Sequence, residues 1–210
     1  MSMYDGKAGD ILSVGVWPLP GSVKPAQVLI NAQIRWIILC IEDGKALLLA
    51  EECVDWELFG DYGNITDREQ TSPWEKSYIR EYLQDFYLNA FSENEKRFIC
   101  RRASGGGDRA EEEDYVFLLS EEEVRTLVPK SILRAKCYLL DEAQGKPLFT
   151  KIPMPWWTRT PGNNWVGSDV VLGTLIDKDG TVFYLETDCD EVGVRPAMWV
   201  DLSVVKLRLS

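Results

Sequence analysis

Apolar and polar positions along this chain change period twice. They alternate near two at the N-terminal end, take a three-and-four spacing in the middle, and return to alternation after residue 147. The first alternating run, Gly9-Asp10-Ile11-Leu12-Ser13-Val14-Gly15-Val16-Trp17-Pro18, stops at a proline, which predicts a short edge strand. Residues 23–31 read as a second extended piece. Next, Ile34-Arg35-Trp36-Ile37-Ile38-Leu39-Cys40-Ile41 and Lys45-Ala46-Leu47-Leu48-Leu49-Ala50 flank Asp43-Gly44, the clearest hairpin signal in the chain. Both faces of its first arm are largely apolar, so that arm is expected to be a central strand covered on both sides.

From residue 72 the spacing is helical. Ser72-Pro73-Trp74-Glu75 has serine at an N-cap, proline at the first helical position and glutamate two further on, which predicts a helix over residues 73–89. Its apolar positions Ile79, Tyr82, Leu83, Phe86 and Ala90 form one buried stripe. Ser92-Glu93-Asn94-Glu95 and Ser120-Glu121-Glu122-Glu123 are two further capping boxes. The second has Leu119 and Val124 placed as a hydrophobic staple and Pro129 as its stop. A fourth short helix is expected over residues 131–141. Between these elements, residues 103–114 are glycine-rich and acidic and are expected to form a mobile surface loop; they lack the lysine of a phosphate cradle. Strand patterns then return over residues 154–158, 166–172, 174–177, 181–186 and 194–202, with Asp177-Lys178-Asp179-Gly180 as a hairpin turn.

Strands at both ends and helices between them predict a single α+β domain spanning residues 1–210, with residues 1–8 as a tail. The terminal strands are expected to share a mixed or antiparallel sheet, with the helices inserted between residues 73 and 141. A length of 210 residues suits one core. No window approaches the roughly eighteen uninterrupted apolar residues of a membrane span, and residues 1–10 lack a signal-like apolar stretch, so a cytoplasmic protein without a membrane partner is expected. Five cysteines with no CxxC pair indicate neither a disulfide framework nor a zinc knuckle. The net charge of -11 repels phosphate backbones and argues against nucleic acid as a partner.

The chain contains no histidine. Ser-His-Asp and Cys-His arrangements therefore cannot be built, and the commonest metal ligand and general base is missing. A carboxylate pair of the glycosidase kind is the enzymatic arrangement left, and no cofactor or metal is implied. Recognition chemistry concentrates near the C-terminal end. Asn163, Asn164 and Trp165, with Trp157 and Asp169, could bind a saccharide or peptide through an aromatic face and amide groups. The alternative for the Trp156-Trp157 pair is core packing, because strand alternation sends the two rings to opposite faces. Arg159 and Arg195 could grip an anion or, with Glu75 and Arg80, form an internal polar network in which Glu75 or another acid is the partner. Asp188, Asp190 and Glu191 read as a solvated acidic turn or a weak ion site.

In order along the chain stand Gly9-Asp10-Ile11, Ile34-Arg35-Trp36-Ile37-Ile38-Leu39, Ala46-Leu47-Leu48-Leu49, Trp74-Glu75-Lys76-Ser77-Tyr78-Ile79-Arg80 and Phe91-Ser92-Glu93-Asn94-Glu95. Val116-Phe117-Leu118-Leu119-Ser120, Trp156-Trp157-Thr158-Arg159-Thr160-Pro161-Gly162 and Gly193-Val194-Arg195-Pro196-Ala197-Met198-Trp199 complete the series. Together they resemble a bacterial domain-of-unknown-function family, number 6273, over residues 9–200. The closing Gly-Val-Arg-Pro-Ala stretch also resembles the ending of C-type-lectin-like domains, which implies that fold. The chain lacks the Glu-Pro-Asn, Gln-Pro-Asp and Trp-Asn-Asp tripeptides of that fold's calcium-dependent sugar binders, which argues against calcium-mediated sugar binding.

The expectation is a non-catalytic binding module for a protein or saccharide. A structural or assembly protein that forms homo-oligomers is the second reading, and a histidine-free carboxylate hydrolase the third.

Overall fold

The computed structural model describes residues 6–18, 31–60, 74–103, 113–141, 146–162 and 171–204. The N-terminal strand β1 (Ile11–Pro18) pairs antiparallel with β2 (Asn31–Glu42), which turns back into β3 (Lys45–Ala50). At the hairpin tip Asp43 and Gly44 both have positive φ, 49° and 77°, the twist that a two-residue turn imposes. Every residue of β3 after Lys45 is buried, as expected for a strand covered on both faces. The register of β1 shifts between Ser13 and Val16, where Gly15 has φ 77° and a Cβ would lie 2.8 Å from the Phe91 ring.

A two-residue strand β4 (Asp55–Trp56) precedes the helical middle, α1 (Tyr78–Ala90) and α2 (Glu93–Lys96). Ile79, Leu83, Phe86 and Ala90 form the buried stripe of α1. The helix begins at Ser77 rather than at residue 73; Ser72 and Pro73 lie outside the described residues. The reason is Trp74, which is drawn into the core with its indole donating to Asp114 at 3.1 Å, so that residues 74–76 form a separate turn. Ser77 then accepts from the Arg80 amide as the cap. Four short strands follow, β5 (Ile99–Cys100), β6 (Arg102–Ala103), β7 (Glu113–Asp114) and β8 (Val116–Phe117). The expected mobile loop lies mostly outside the described residues; its flanks pair as β6 and β7. Both remaining capping boxes, at Ser92 and Ser120, are formed, the second opening α3 (Glu121–Leu127) over buried Leu119 and Val124.

A 3-10 turn at Lys130–Ile132 leads into β9 (Ala135–Asp141), β10 (Lys146–Met154), β11 (Trp156–Pro161), β12 (Leu172–Ile176), β13 (Val182–Glu186), β14 (Gly193–Val194) and β15 (Ala197–Asp201). Two sheets dominate. One has the order β1-β2-β3-β15-β5, with β8 also on β15; the other has the order β13-β12-β11-β14-β4. The β9–β10 and β6–β7 pairs stand apart from them. Thus β1 and β15 lie in one antiparallel sheet, with the last strand inserted beside β3.

The α+β, C-type-lectin-like expectation is overturned. The protein is mostly β, with its sheets curled into half-barrel forms. Residues 135–141 account for part of the difference, being a strand where a helix was expected. Ala135 and Cys137 are buried while Lys136 is exposed, a period of two that pairs with β10 from Met154↔Ala135 to Lys146↔Asp141. Among the described residues no helix is long and apolar enough to cross a membrane.

Candidate functional site

Asn163, Asn164, Trp165 and Asp169 lie outside the described residues. Trp157 is fully buried: its indole donates to the Glu57 carbonyl at 3.0 Å and its ring meets Phe59 edge-on at 5.5 Å. Trp156 is equally buried, with its indole donating to the Leu133 carbonyl at 2.9 Å. β11 is paired on both edges, by β12 and β14, and covered on both faces, so alternation sends each tryptophan into core instead of onto a surface. Trp157 as a ligand contact is therefore corrected to a core residue.

The arginines are fasteners with partners of their own. Arg80 pairs with Asp114 at 2.9 Å, and the same carboxylate takes the Trp74 indole. Glu75 contributes its carbonyl oxygen, which accepts from Arg80 at 3.3 Å. Arg159 pairs with Glu123 at 2.7 Å, donates to the Leu118 carbonyl at 2.8 Å and lies over the Phe117 ring. Arg195 sits where the chain passes from β14 to β15, that is, from one main sheet to the other. Fully buried, it donates to the carbonyl oxygens of Ala50, Ile132 and Glu51 at 2.9, 2.8 and 3.2 Å and covers the Trp156 ring. Burial lowers its pKa to about 10, so it remains cationic at neutral pH. Asp114, the acid missed from sequence, stands at the end of an acidic run and just before the apolar Tyr115-Val116-Phe117, which is the one signal that it turns inward.

A cavity of about 110 Å³ opens where β1, β2, the residues after β3, β9 and β10 converge. Trp17, Arg35, Glu51, Glu52, Tyr138 and Lys151 supply its chemistry. The wall carrying the two glutamates is held by backbone bonds in four directions. Ala50 donates to Pro196, Glu51 to Arg35, Cys53 to Lys136 and Val54 to Val194, all between 2.8 and 2.9 Å. Arg35 pairs with Glu51 at 3.0 Å, and Lys151 pairs with Glu52 Oε1 at 2.9 Å while lying 4.9 Å from the Tyr138 ring centre. Burial opposes the charge of Lys151, but Glu52 and Tyr138 outweigh it and hold the ammonium pKa above its ordinary value. The other oxygen of Glu52, Oε2, is buried and accepts no hydrogen bond.

Around this wall, to which Cys53 itself belongs, lie groups that sequence spacing did not bring together. The Cys137 thiol donates to the Cys53 carbonyl at 3.8 Å, and burial pushes the Cys53 pKa up to about 12 and that of Cys137 up as well, so both stay protonated. Asp55 is raised to about 6 by burial, against hydrogen bonds from the Trp56 amide at 3.0 Å and the Tyr82 hydroxyl at 3.1 Å. Tyr82 in turn meets Trp17 edge-on. Among the described residues no three His, Cys, Asp or Glu side chains are grouped to hold a metal ion.

The cavity residues come from distant segments, and no motif links them. The adjacent Glu51-Glu52, directly after an apolar strand, is the one local hint, since charges at that point must either reach water or find partners. No curated protein and no solved structure matches the chain. Residues 43–202, which include Glu51, Glu52, Tyr138 and Lys151, match the model of the family described as a domain of unknown function (DUF6273), and the chain belongs to that family.

Proposed function

We propose that this protein is a non-catalytic binding module that takes a small group, an end residue of a saccharide or protein ligand, in the cavity beside Glu52. The observation that carries this reading is the cavity itself, whose wall combines aromatic surface from Trp17 and Tyr138 with the ion pairs Arg35–Glu51 and Lys151–Glu52. Size limits the occupant. Against about 30 Å³ per water molecule and about 300 Å³ for the smallest sites of drug-sized ligands, a volume of about 110 Å³ suits one small group.

The non-catalytic part rests on three features. The chain has no histidine, both buried thiols are held protonated, and the carboxyl with raised pKa, Asp55, is hydrogen-bonded behind the wall and does not line the cavity. Five free cysteines favour a reducing compartment such as the cytoplasm. Protein-observed NMR during a screen of small fragments tests the reading, with amide shifts expected at residues 33–35, 51–54, 138 and 151. Shifts that cluster anywhere else would remove the cavity as the site.

Assembly, the second reading, is favoured by a separate observation. β13 ends its sheet among the described residues and exposes Phe183 and Tyr184, neighbours that point to opposite faces. Light scattering across a wide concentration range is expected to show a larger species that F183S and Y184S disperse; a monomer throughout would eliminate this reading.

A further inference from the structure

We infer, on the reading that the cavity is the binding site, that its ligand is the end of an extended peptide, which adds as a short strand to the open edge of β2. Backbone groups along a strand alternate between its two sides. The Ile38 amide donates to the Asp10 carbonyl and the Ile38 carbonyl accepts from the Gly9 amide, so even-numbered residues of this stretch turn toward β1. The Arg35 carbonyl accepts from the Glu51 amide at 2.8 Å, so odd-numbered residues turn the other way. Pairing with β3 begins only at Trp36↔Ala50, and the register shift near Gln33 and Arg35 is an extra residue in β1, so the alternation along β2 is unbroken there. Asn31 and Gln33 therefore direct their N–H and C=O groups past the end of β3. Among the described residues nothing pairs with these groups of Gln33, which is exposed and lines the cavity.

The chain itself vacates this place. After Glu51 it turns away from β2, with Cys53 donating to Lys136 on β9 and Val54 to Val194 on β14. The cavity lies where it parts from β2, with Trp17 and Tyr138 among its walls. An added strand meets the unmade bonds in kind. Its residues two apart repeat at about 6.6 Å, the spacing at which Asn31 and Gln33 present their groups, and main-chain bonds of this sort carry the affinity in strand addition. A sugar ring holds its hydroxyls on adjacent carbons, too close together to serve both positions. The charged side chains of the wall already pair, Arg35 with Glu51 and Lys151 with Glu52, so recognition falls to the backbone edge and the rings. Glu51 occupies the edge at Arg35, so the added strand stops there and only its end reaches the cavity. A volume of about 110 Å³ beside two aromatic rings suits one apolar side chain of that end residue.

The test uses the full chain and two sets of probes followed by protein-observed NMR: tetrapeptides alternating threonine with valine or leucine, with free and with capped ends, and methyl glycosides of hexoses and N-acetylhexosamines. The peptides are expected to shift the Trp17 indole and the amides of residues 33–35 and 51–54, and to slow hydrogen exchange of the Gln33 amide. Only alternate amides of an added strand face β2. N-methylation of one set is therefore expected to weaken binding about tenfold or more, and of the other set to leave it within about twofold. Q33P removes the donor on the open side and spares the bonds to β1, so it is expected to weaken binding as the first set does. The peptide series on the wild-type chain decides the matter even if Q33P fails to fold. Glycosides binding in the cavity where peptides do not would overturn the ligand class and leave the cavity standing. Peptides that bind there with both N-methylated sets equally affected would overturn pairing on β2. Peptide shifts that map elsewhere, or silence from every probe, would overturn the inference and the cavity reading with it.

Discussion

Arg195 and Glu52 meet at one short segment, residues 50–54, which the first grips and the second belongs to, and they are satisfied to different degrees. Arg195 is fully buried and aims its guanidinium at three carbonyl oxygens, two of them on Ala50 and Glu51, with the Trp156 ring beneath. Glu52 lines a cavity and has one oxygen in an ion pair and the other buried without a hydrogen bond. A buried polar group with its bonds made inside the protein holds elements together, and here it fixes the crossing between the two main sheets. A polar oxygen buried with its bond unmade lowers the stability of the fold instead of fixing it. Charge is common to both residues; burial and the number of completed hydrogen bonds separate them.

The largest effect is expected at the satisfied end. R195M keeps the stem and removes the guanidinium, leaving three carbonyl oxygens without their donor, and is expected to cost about 3–5 kcal/mol in a denaturant titration. A domain of this kind has about 5–15 kcal/mol in total, so much of the stability would go. R195K is expected to rescue little, because one compact ammonium cannot span the positions that a planar fork reaches. Stability within about 1 kcal/mol of wild type for R195M would break the comparison, since the crossing would then not depend on its polar pin.

Asp55 sharpens the contrast, being a buried acid whose hydrogen bonds fail to offset its desolvation. Its pKa is raised to about 6, while an unfolded chain would leave it near 3.9. Between about pH 4 and pH 6 the folded protein therefore holds a proton that the unfolded chain has released, so stability falls as pH rises through that window and levels off above it. The two-unit shift sets the loss at about 2–3 kcal/mol. D55N is expected to abolish this slope and to equal or exceed the wild type above pH 6, measured as urea midpoints at the two ends of the window. An unchanged slope in D55N would assign the pH response to another group.

Local signals carried much of this architecture. Asp43-Gly44 located the tight hairpin, the three-and-four spacing of Ile79, Leu83, Phe86 and Ala90 located the buried face of α1, and the boxes at Ser92 and Ser120 marked two true helix starts. Each of these depends on residues within a few positions of one another. The failures share a different cause. Residues 135–141 became a strand because β10 pairs with them, and α1 is capped at Ser77 because Trp74 is held by Asp114, forty positions away. Arg80 and Arg159 were legible as fasteners, but their partners Asp114 and Glu123 were not, since pairing across the core leaves no spacing to read. The cavity was the least legible feature, because strand order alone brings Trp17, Glu52, Tyr138 and Lys151 to one place.

The smallest expected effect on stability falls on Glu52, which lines the cavity. E52Q keeps the shape of the side chain, relaxes a buried carboxylate oxygen, and gives up an ion pair with Lys151 in which both side chains remain about a third exposed. Such half-exposed pairs contribute about 0–1 kcal/mol, and removing an unsatisfied charged oxygen returns a similar amount, so the two terms nearly cancel. The urea midpoint of E52Q is therefore expected within about 0.5 kcal/mol of wild type. A loss of stability on the scale of R195M would place Glu52 among the fasteners, because only a residue that the fold itself depends on would be missed that strongly in the empty protein.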